Sequence, residues 1–284
     1  MPAATTDGLE PGGTLAVAMA DQIETLDPLN ARNRAERLAA RQIYEPLLSH
    51  QQGPFGESRR RPGLARSFHS NGPATIWTAR LRRGVKFSNG EPLDADAVLV
   101  NVRRWLGSSA TRELLPSLSA VDSPRPGRVR FLLQRPSPRF PRALADPRLG
   151  MVAPAPLLGL GHGGLRLDAG GTGPFEYRGR DDGGVLLARN AGWWGTPLGL
   201  GPGVDQVELT ATPSAARRVD GLLSGAVDVA DELGGPAMQR LASDPLLTVV
   251  RGPRVTLGLE RSVRGIDSAA AAQSLADVWL TDLR

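Results

Sequence analysis

The stretch Trp77 to Leu106, WTARLRRGVKFSNGEPLDADAVLVNVRRWL, decides the fold, because it writes out a strand, a turn and a capped helix in succession. Its first part alternates: Trp77, Ala79 and Leu81 fall on one face and Arg80 and Arg82 on the other, as a half-buried strand requires. Asn89-Gly90 supplies the turn residues. Asp94 is placed to accept from the free N–H groups of a helix start, Leu93 and Val98 have the spacing of a hydrophobic staple, and the helix body runs to Leu106 before Gly107.

Upstream, Gly12-Gly13 leads into the apolar run Thr14 to Met19, read as a first strand. Residues Arg34 to Ser49 carry Leu38, Ile43, Leu47 and Leu48 in a helical pattern that Pro46 ends or distorts, and a loop is expected from there to about Ser67. Downstream, Val129 to Leu133 reads as a strand, followed by a proline-rich passage. Val152 to Pro174 is so rich in Gly, Pro, Ala and Leu that no regular element is expected in it. Short strands are expected at Val185 to Ala188, Val207 to Leu209 and Val227 to Val229, with a helix from the Ser214 cap through Leu223, closed by Gly225. Leu246 to Val250 and Val255 to Leu259 form a further candidate pair. Short strands mixed with a few helices indicate α/β or α+β rather than an all-β sandwich.

Composition narrows the function. Gly 34 and Pro 24 in 284 residues amount to about one in five, without the period of a fibre. Cys 0 excludes a disulfide scaffold, a zinc-thiolate site, an iron-sulfur cluster and a thiol nucleophile. The net charge of +5 is modest, Lys86 is the sole lysine, and the densest basic stretch, Arg59 to Arg61 with Arg66, has no interleaved aromatics; it is read as an exposed basic loop and not as a nucleic-acid surface. No apolar run approaches the about 18 residues of a membrane span, and the first residues carry no export signal. The protein is therefore expected to be cytoplasmic, or extracytoplasmic if an upstream signal precedes this sequence.

Residues Gly159 to Gly164 satisfy GxGxxG by spacing, but Pro154 and Pro156 stand where a strand should precede it, so no dinucleotide site is read. His50, His69 and His162 are not at ligand spacing, and Asp94 with Asp96 or Asp181 with Asp182 read as solvated caps and turns. Trp77 and Tyr44 read as core. Trp193-Trp194 either anchors a turn or offers an indole to a ligand. No constellation supports catalysis, a metal or a cofactor.

Several segments together resemble the extracytoplasmic solute-binding proteins of ABC importers, in the family that binds dipeptides, oligopeptides or nickel complexes (family 5). They are GGTLAVAM with LDPLN (Leu26 to Asn30), IYEPLL (Ile43 to Leu48), the Trp77 to Leu106 stretch, GTGPFEY (Gly171 to Tyr177), RNAGWWG (Arg189 to Gly195) and VDGLLSGAVDVA (Val219 to Ala230). The resemblance implies an α/β, periplasmic-binding-protein-like class II fold with mixed sheets, its second large lobe reduced or missing. It implies a start of the first lobe at 1–30, a subdomain at 31–155 containing helix 94–106, a crossover at 156–174, the first lobe continued at 175–260 and a return segment at 261–284. The expected function is non-catalytic binding of a peptide-like or related small solute and its delivery to an ABC permease, with Leu26, Asp27, Asn30, Thr172, Trp193 and Trp194 as candidate ligand contacts. The alternatives are a shortened relative that binds a partner or self-associates, and a nonfunctional fragment.

Overall fold

A computed structural model describes residues 12–52, 58–61, 63–159, 169–180, 184–199, 201–241, 247–251 and 256–260. Its first half contains β1 (Thr14–Met19), α1 (Arg34–Ile43), β2 (Ser49–Gln52), β3 (Ser58–Arg61), β4 (Ala65–Ser70), β5 (Ile76–Leu81), α2 (Ala95–Gly107), α3 (Ser109–Arg112), β6 (Leu118–Arg125) and β7 (Arg128–Leu133). Then come α4 (Phe140–Ala143), α5 (Pro154–Leu158), β8 (Phe175–Arg180), β9 (Gly184–Arg189), β10 (Gln206–Ala211), α6 (Ala215–Ser224), β11 (Val229–Ala230), α7 (Gly235–Leu241), β12 (Leu247–Arg251) and β13 (Thr256–Glu260). This is a mixed α/β fold, as expected. Among the described residues no helix is long and apolar enough to cross a membrane.

The main sheet has the order β12-β13-β11-β1-β10-β9-β8. Its centre is parallel: β1 pairs with β10 on one side and β11 on the other, while the outer strands pair antiparallel. The side-chain period of two lets β1 serve two cores at once. Leu15, Val17 and Met19 pack with Leu38, Ala39 and Ile43 of α1, whereas Ala18 packs with Val219 and Leu222 of α6 and Leu241 of α7.

A second sheet, ordered β4-β5-β7-β6, carries α2 on its inner face. Trp77, Ala79 and Leu81 point into this core, and Phe68 stacks on Trp77 with ring centroids 5.1 Å apart. Helix α2 begins as the sequence dictates: the Ala97 N–H donates to Asp94 Oδ1 at 2.9 Å, and Leu93 and Val98 are both buried. The fully buried Asn101 of α2 grips the chain at Val152, just before α5. Its Nδ2 donates to the Val152 carbonyl at 2.8 Å and its Oδ1 accepts from the Val152 N–H at 3.0 Å.

Several expectations need correction. Helix α1 stops at Ile43, with Tyr44 already extended, because Pro46 disfavours helical geometry in the residue before it and leaves no N–H to continue the ladder. The expected loop to Ser67 holds β2, β3 and the start of β4, and Arg59 to Arg61 lie in β3 instead of a basic loop. These polar strands pair by backbone hydrogen bonds, which apolar alternation does not announce. The proline-rich passages form α4 and α5, each with proline in its first turn, where its missing N–H costs nothing. Strands β6 and β8 also went unread, and the last central strand begins at Val229.

The two anchors of α2 should differ in weight. D94A removes one exposed cap and should cost about 1 kcal/mol. N101A leaves a buried N–H and a buried carbonyl of Val152 without partners and should cost about 3 kcal/mol. Urea midpoints of the two variants check the order; equal losses would show that Val152 finds other partners.

Candidate functional site

Three arrangements bring distant residues together. The first lies where α1 ends. Chain direction changes at Tyr44, so Glu45 leaves the helix axis, and both following indoles of the Trp193-Trp194 pair converge on it. The Trp194 Nε1–H donates to Glu45 Oε2 at 2.7 Å and the Trp193 Nε1–H reaches the same oxygen at 3.4 Å. The Arg82 guanidinium lies over the Trp194 ring, 4.2 Å from its centroid. Burial pushes the Glu45 carboxyl up to about 7, against the hydrogen bond from Trp194, the longer one from Trp193 and the charge of Arg82. Burial lowers the proton affinity of Arg82, and neighbouring Arg66 lowers it further.

Glycines set how closely this knot is drawn. A Cβ on Gly171 would lie 2.0 Å from the Ile43 carbonyl oxygen, and one on Gly173 would lie 2.4 Å from that of Gln42. The Gly173 N–H donates to the Ile43 carbonyl at 2.8 Å, and Asn190 Nδ2 donates to the Gly173 carbonyl at 2.9 Å. Segments separated by more than 100 residues are thereby fixed around the end of α1.

The second arrangement is the loop between β1 and α1. The buried Glu36 carboxylate accepts from four backbone N–H groups, those of Glu24, Thr25, Arg32 and Asn33, while Asn33 caps the helix in return. Asp27 accepts from the Leu29 N–H and from Asn30 Nδ2, and it pairs with Arg104 of α2.

The third is the edge formed by the carboxyl ends of β10, β1 and β11, the edge at which open α/β sheets place ligands. Asp231 Oδ1 accepts from the Ala20 N–H at 2.7 Å, and its Oδ2 is 3.6 Å from Arg34 Nε. Buried Arg218 donates to the carbonyls of Thr212, Pro213, Asp231 and Glu232, tying the ends of β10 and β11 together. Burial raises Asp231 to about 6, helped by Glu232 and opposed by the Ala20 N–H, Arg34 and Arg218. Glu232 has φ of 48°, an uncommon conformation for a residue with a side chain.

The residues nominated from the sequence are thus distributed. Leu26 is in the core, Asp27 is buried among its partners, and Asn30 is exposed while holding Asp27. Thr172 is fully buried beside Glu45; Trp193 is nearly buried and Trp194 half-buried against the same carboxyl. Glu45, Arg82, Arg34, Glu36, Arg218 and Asp231 were missed. Glu45 had a signal, an acid at a helix end before proline; Arg34 and Asp231 are 197 positions apart and meet only through the sheet. Gly159 ends α5, so the GxGxxG spacing follows a helix; 160–164, His162 and Asp181-Asp182 lie outside the described residues. Among the described residues no group of three potential metal ligands occurs.

Residues 60–259 match the family described as bacterial extracellular solute-binding proteins, family 5. The chain belongs to that family. This family-5 chain is 26% identical over 282 residues to the probable D,D-dipeptide-binding periplasmic protein of Escherichia coli K12, covering 96% of the chain and 54% of the relative. It is 28% identical over 165 residues to a glutathione-binding protein of Escherichia coli, covering 57% of the chain and 31% of the relative. A solved binding protein from A. tumefaciens R10 in complex with agropinic acid superposes with a TM-score of 0.76 at 25% identity, over 84% of this chain and 48% of that one. A Helicobacter pylori periplasmic binding protein in complex with the peptide STSA gives 0.74 at 20% identity, over 85% and 51%, and shows the shared fold. The family-5 chain spans about half the length of these relatives or less.

An acid whose folded pKa lies above its unfolded value favours the folded chain below the unfolded pKa of 4.5 and loses that contribution as pH climbs to about 7. E45Q keeps an acceptor oxygen for Trp194 and removes the titration. Its stability relative to the parent should therefore rise between pH 5 and pH 8, by on the order of 2 kcal/mol. Urea melts of both proteins across that range read the difference, which cancels the separate titration of Asp231; a difference independent of pH would sink the assignment.

Proposed function

We propose that this chain binds a peptide-like solute in the extracytoplasmic space, without catalysing a reaction, and delivers it to an ABC import permease. The observation that carries the reading is family membership across residues 60–259. The fold supports it. Three parallel strands end on one edge among Arg34, Asp231 and Glu232, where side chains of both signs can meet the charged groups of a zwitterionic solute. In this reading 1–30 and 175–260 make the first lobe, 31–155 a subdomain and 156–174 the crossover. The return segment 261–284 lies outside the described residues.

Of the nominated contacts, Asn30 and Trp194 retain exposed surface for a solute, while Leu26, Asp27, Thr172 and Trp193 serve by holding the loop and the indole pair in place. A relative that only binds a partner would keep the fold and lack solute affinity.

Titration calorimetry separates the two. The panel is D,D-dipeptides, glutathione, agropinic acid and short L-peptides, chosen from the compounds that the similar proteins bind. One-site binding of at least one member is expected, together with a tenfold or greater loss on N30A or W194A in variants that melt normally. Folded, monodisperse protein that binds none of the panel would favour the partner-binding reading.

A further inference from the structure

The outer face of the β4-β5-β7-β6 sheet, opposite α2, has a charge pattern that the solute-binding reading does not use. The strand registers align Ser67 with Arg80, Arg80 with Arg128 and Arg128 with Arg125. One row of the sheet therefore presents three arginines on three adjacent strands, and all three are exposed. Neighbouring strands lie about 4.8 Å apart, so the guanidinium stems stand side by side, and like charges directly opposite one another destabilise a sheet.

The next row shows the ordinary solution. His69, Thr78, Arg130 and Asp122 are aligned there, and Arg130 is balanced by a two-pronged pair with Asp122, at 2.8 and 2.6 Å. Among the described residues Arg80, Arg125 and Arg128 have no such carboxylate, and exposed Arg66 and Arg83 add positive charge nearby in the chain. A planar row of forked donors at strand spacing complements a surface of phosphates, to which guanidinium groups bind in a two-pronged manner. These two rows hold no Phe, Tyr or Trp, and their one ring, the exposed His69, stands alone on β4, so a single-stranded nucleic acid, which stacks successive bases on aromatic side chains, fits less well.

We propose that this open sheet face, centred on Arg80, Arg125 and Arg128, is an electrostatic docking surface for an anionic lipid bilayer. The proposal is independent of solute binding, since it requires neither a solute nor a permease.

The full chain is sedimented with vesicles of phosphatidylcholine alone or containing about one third phosphatidylglycerol, at low and at physiological salt. Binding should require phosphatidylglycerol and weaken as salt screens the row. R80Q/R125Q/R128Q should lose roughly a hundredfold in partition coefficient, from about fivefold per arginine near the surface. R80K/R125K/R128K should retain most of the binding. R103Q/R112Q/R217Q removes the same charge from exposed helix positions and should bind like the parent. Relief of like-charge repulsion keeps the row variant folded, which its melting curve verifies.

Three results of the vesicle assay would overturn the proposal: parental binding to phosphatidylcholine, equal losses in the row and helix variants, or a row variant that binds as the parent does. Row-dependent retention of DNA without vesicle binding would assign the face to nucleic acid and overturn it as well.

Discussion

Helix α1 and the chain at Gly171 to Gly173 meet where no side chain fits between them. With a Cβ on Gly171 only 2.0 Å from the Ile43 carbonyl oxygen, and one on Gly173 2.4 Å from that of Gln42, the contact exists solely because both positions are glycine. Around it everything else is placed. Backbone hydrogen bonds from Gly173 to Ile43 and from Ser88 to Gly171 fix this segment against both the main sheet's helix and the turn that precedes α2. Once that approach is set, Thr172 has only one buried place, beside Glu45, and Asn190 brings the two indoles to the same carboxyl. Side-chain bulk at either glycine would push these partners apart together, since a packed interior yields little to an added methyl group.

The interior is also held by ions, in a way that keeps charge off the apolar cores. Glu36 and Arg218 each meet four backbone groups, so the charge of each is spread over dipoles already present in loops. Asp231 is less completely met, and its raised proton affinity records the shortfall. Such groups contribute specificity of loop geometry more than net stability, because the desolvation of each ion offsets much of what its hydrogen bonds return.

Legibility in the sequence followed local rules. β1, β5, α2 and α6 were readable because apolar period, cap and closing glycine all agree within one short window, as at Asp94, Ser214 and Gly225. β2 and β3 were not, because SHQQ and SRRR carry no apolar alternation and their antiparallel pairing is a backbone one. At the candidate site the tryptophan pair stood out by composition, but its partner did not. Nothing near Glu45 in the chain predicts an indole 149 positions away, and the meeting of Arg34 with Asp231 depends on strands inserted between one another.

That insertion bears on when the protein can fold. β1 occupies the middle of the main sheet, yet its two neighbours are β10, some 190 residues later, and β11, later still. A chain made from its N-terminus thus carries its central strand without a partner until more than two hundred residues have been synthesised. Contacts of such long sequence separation close slowly. The apolar run at Thr14 to Met19 must wait for some 190 further residues to be made, and the later of its two neighbours, only Val229 and Ala230, completes the assembly around it.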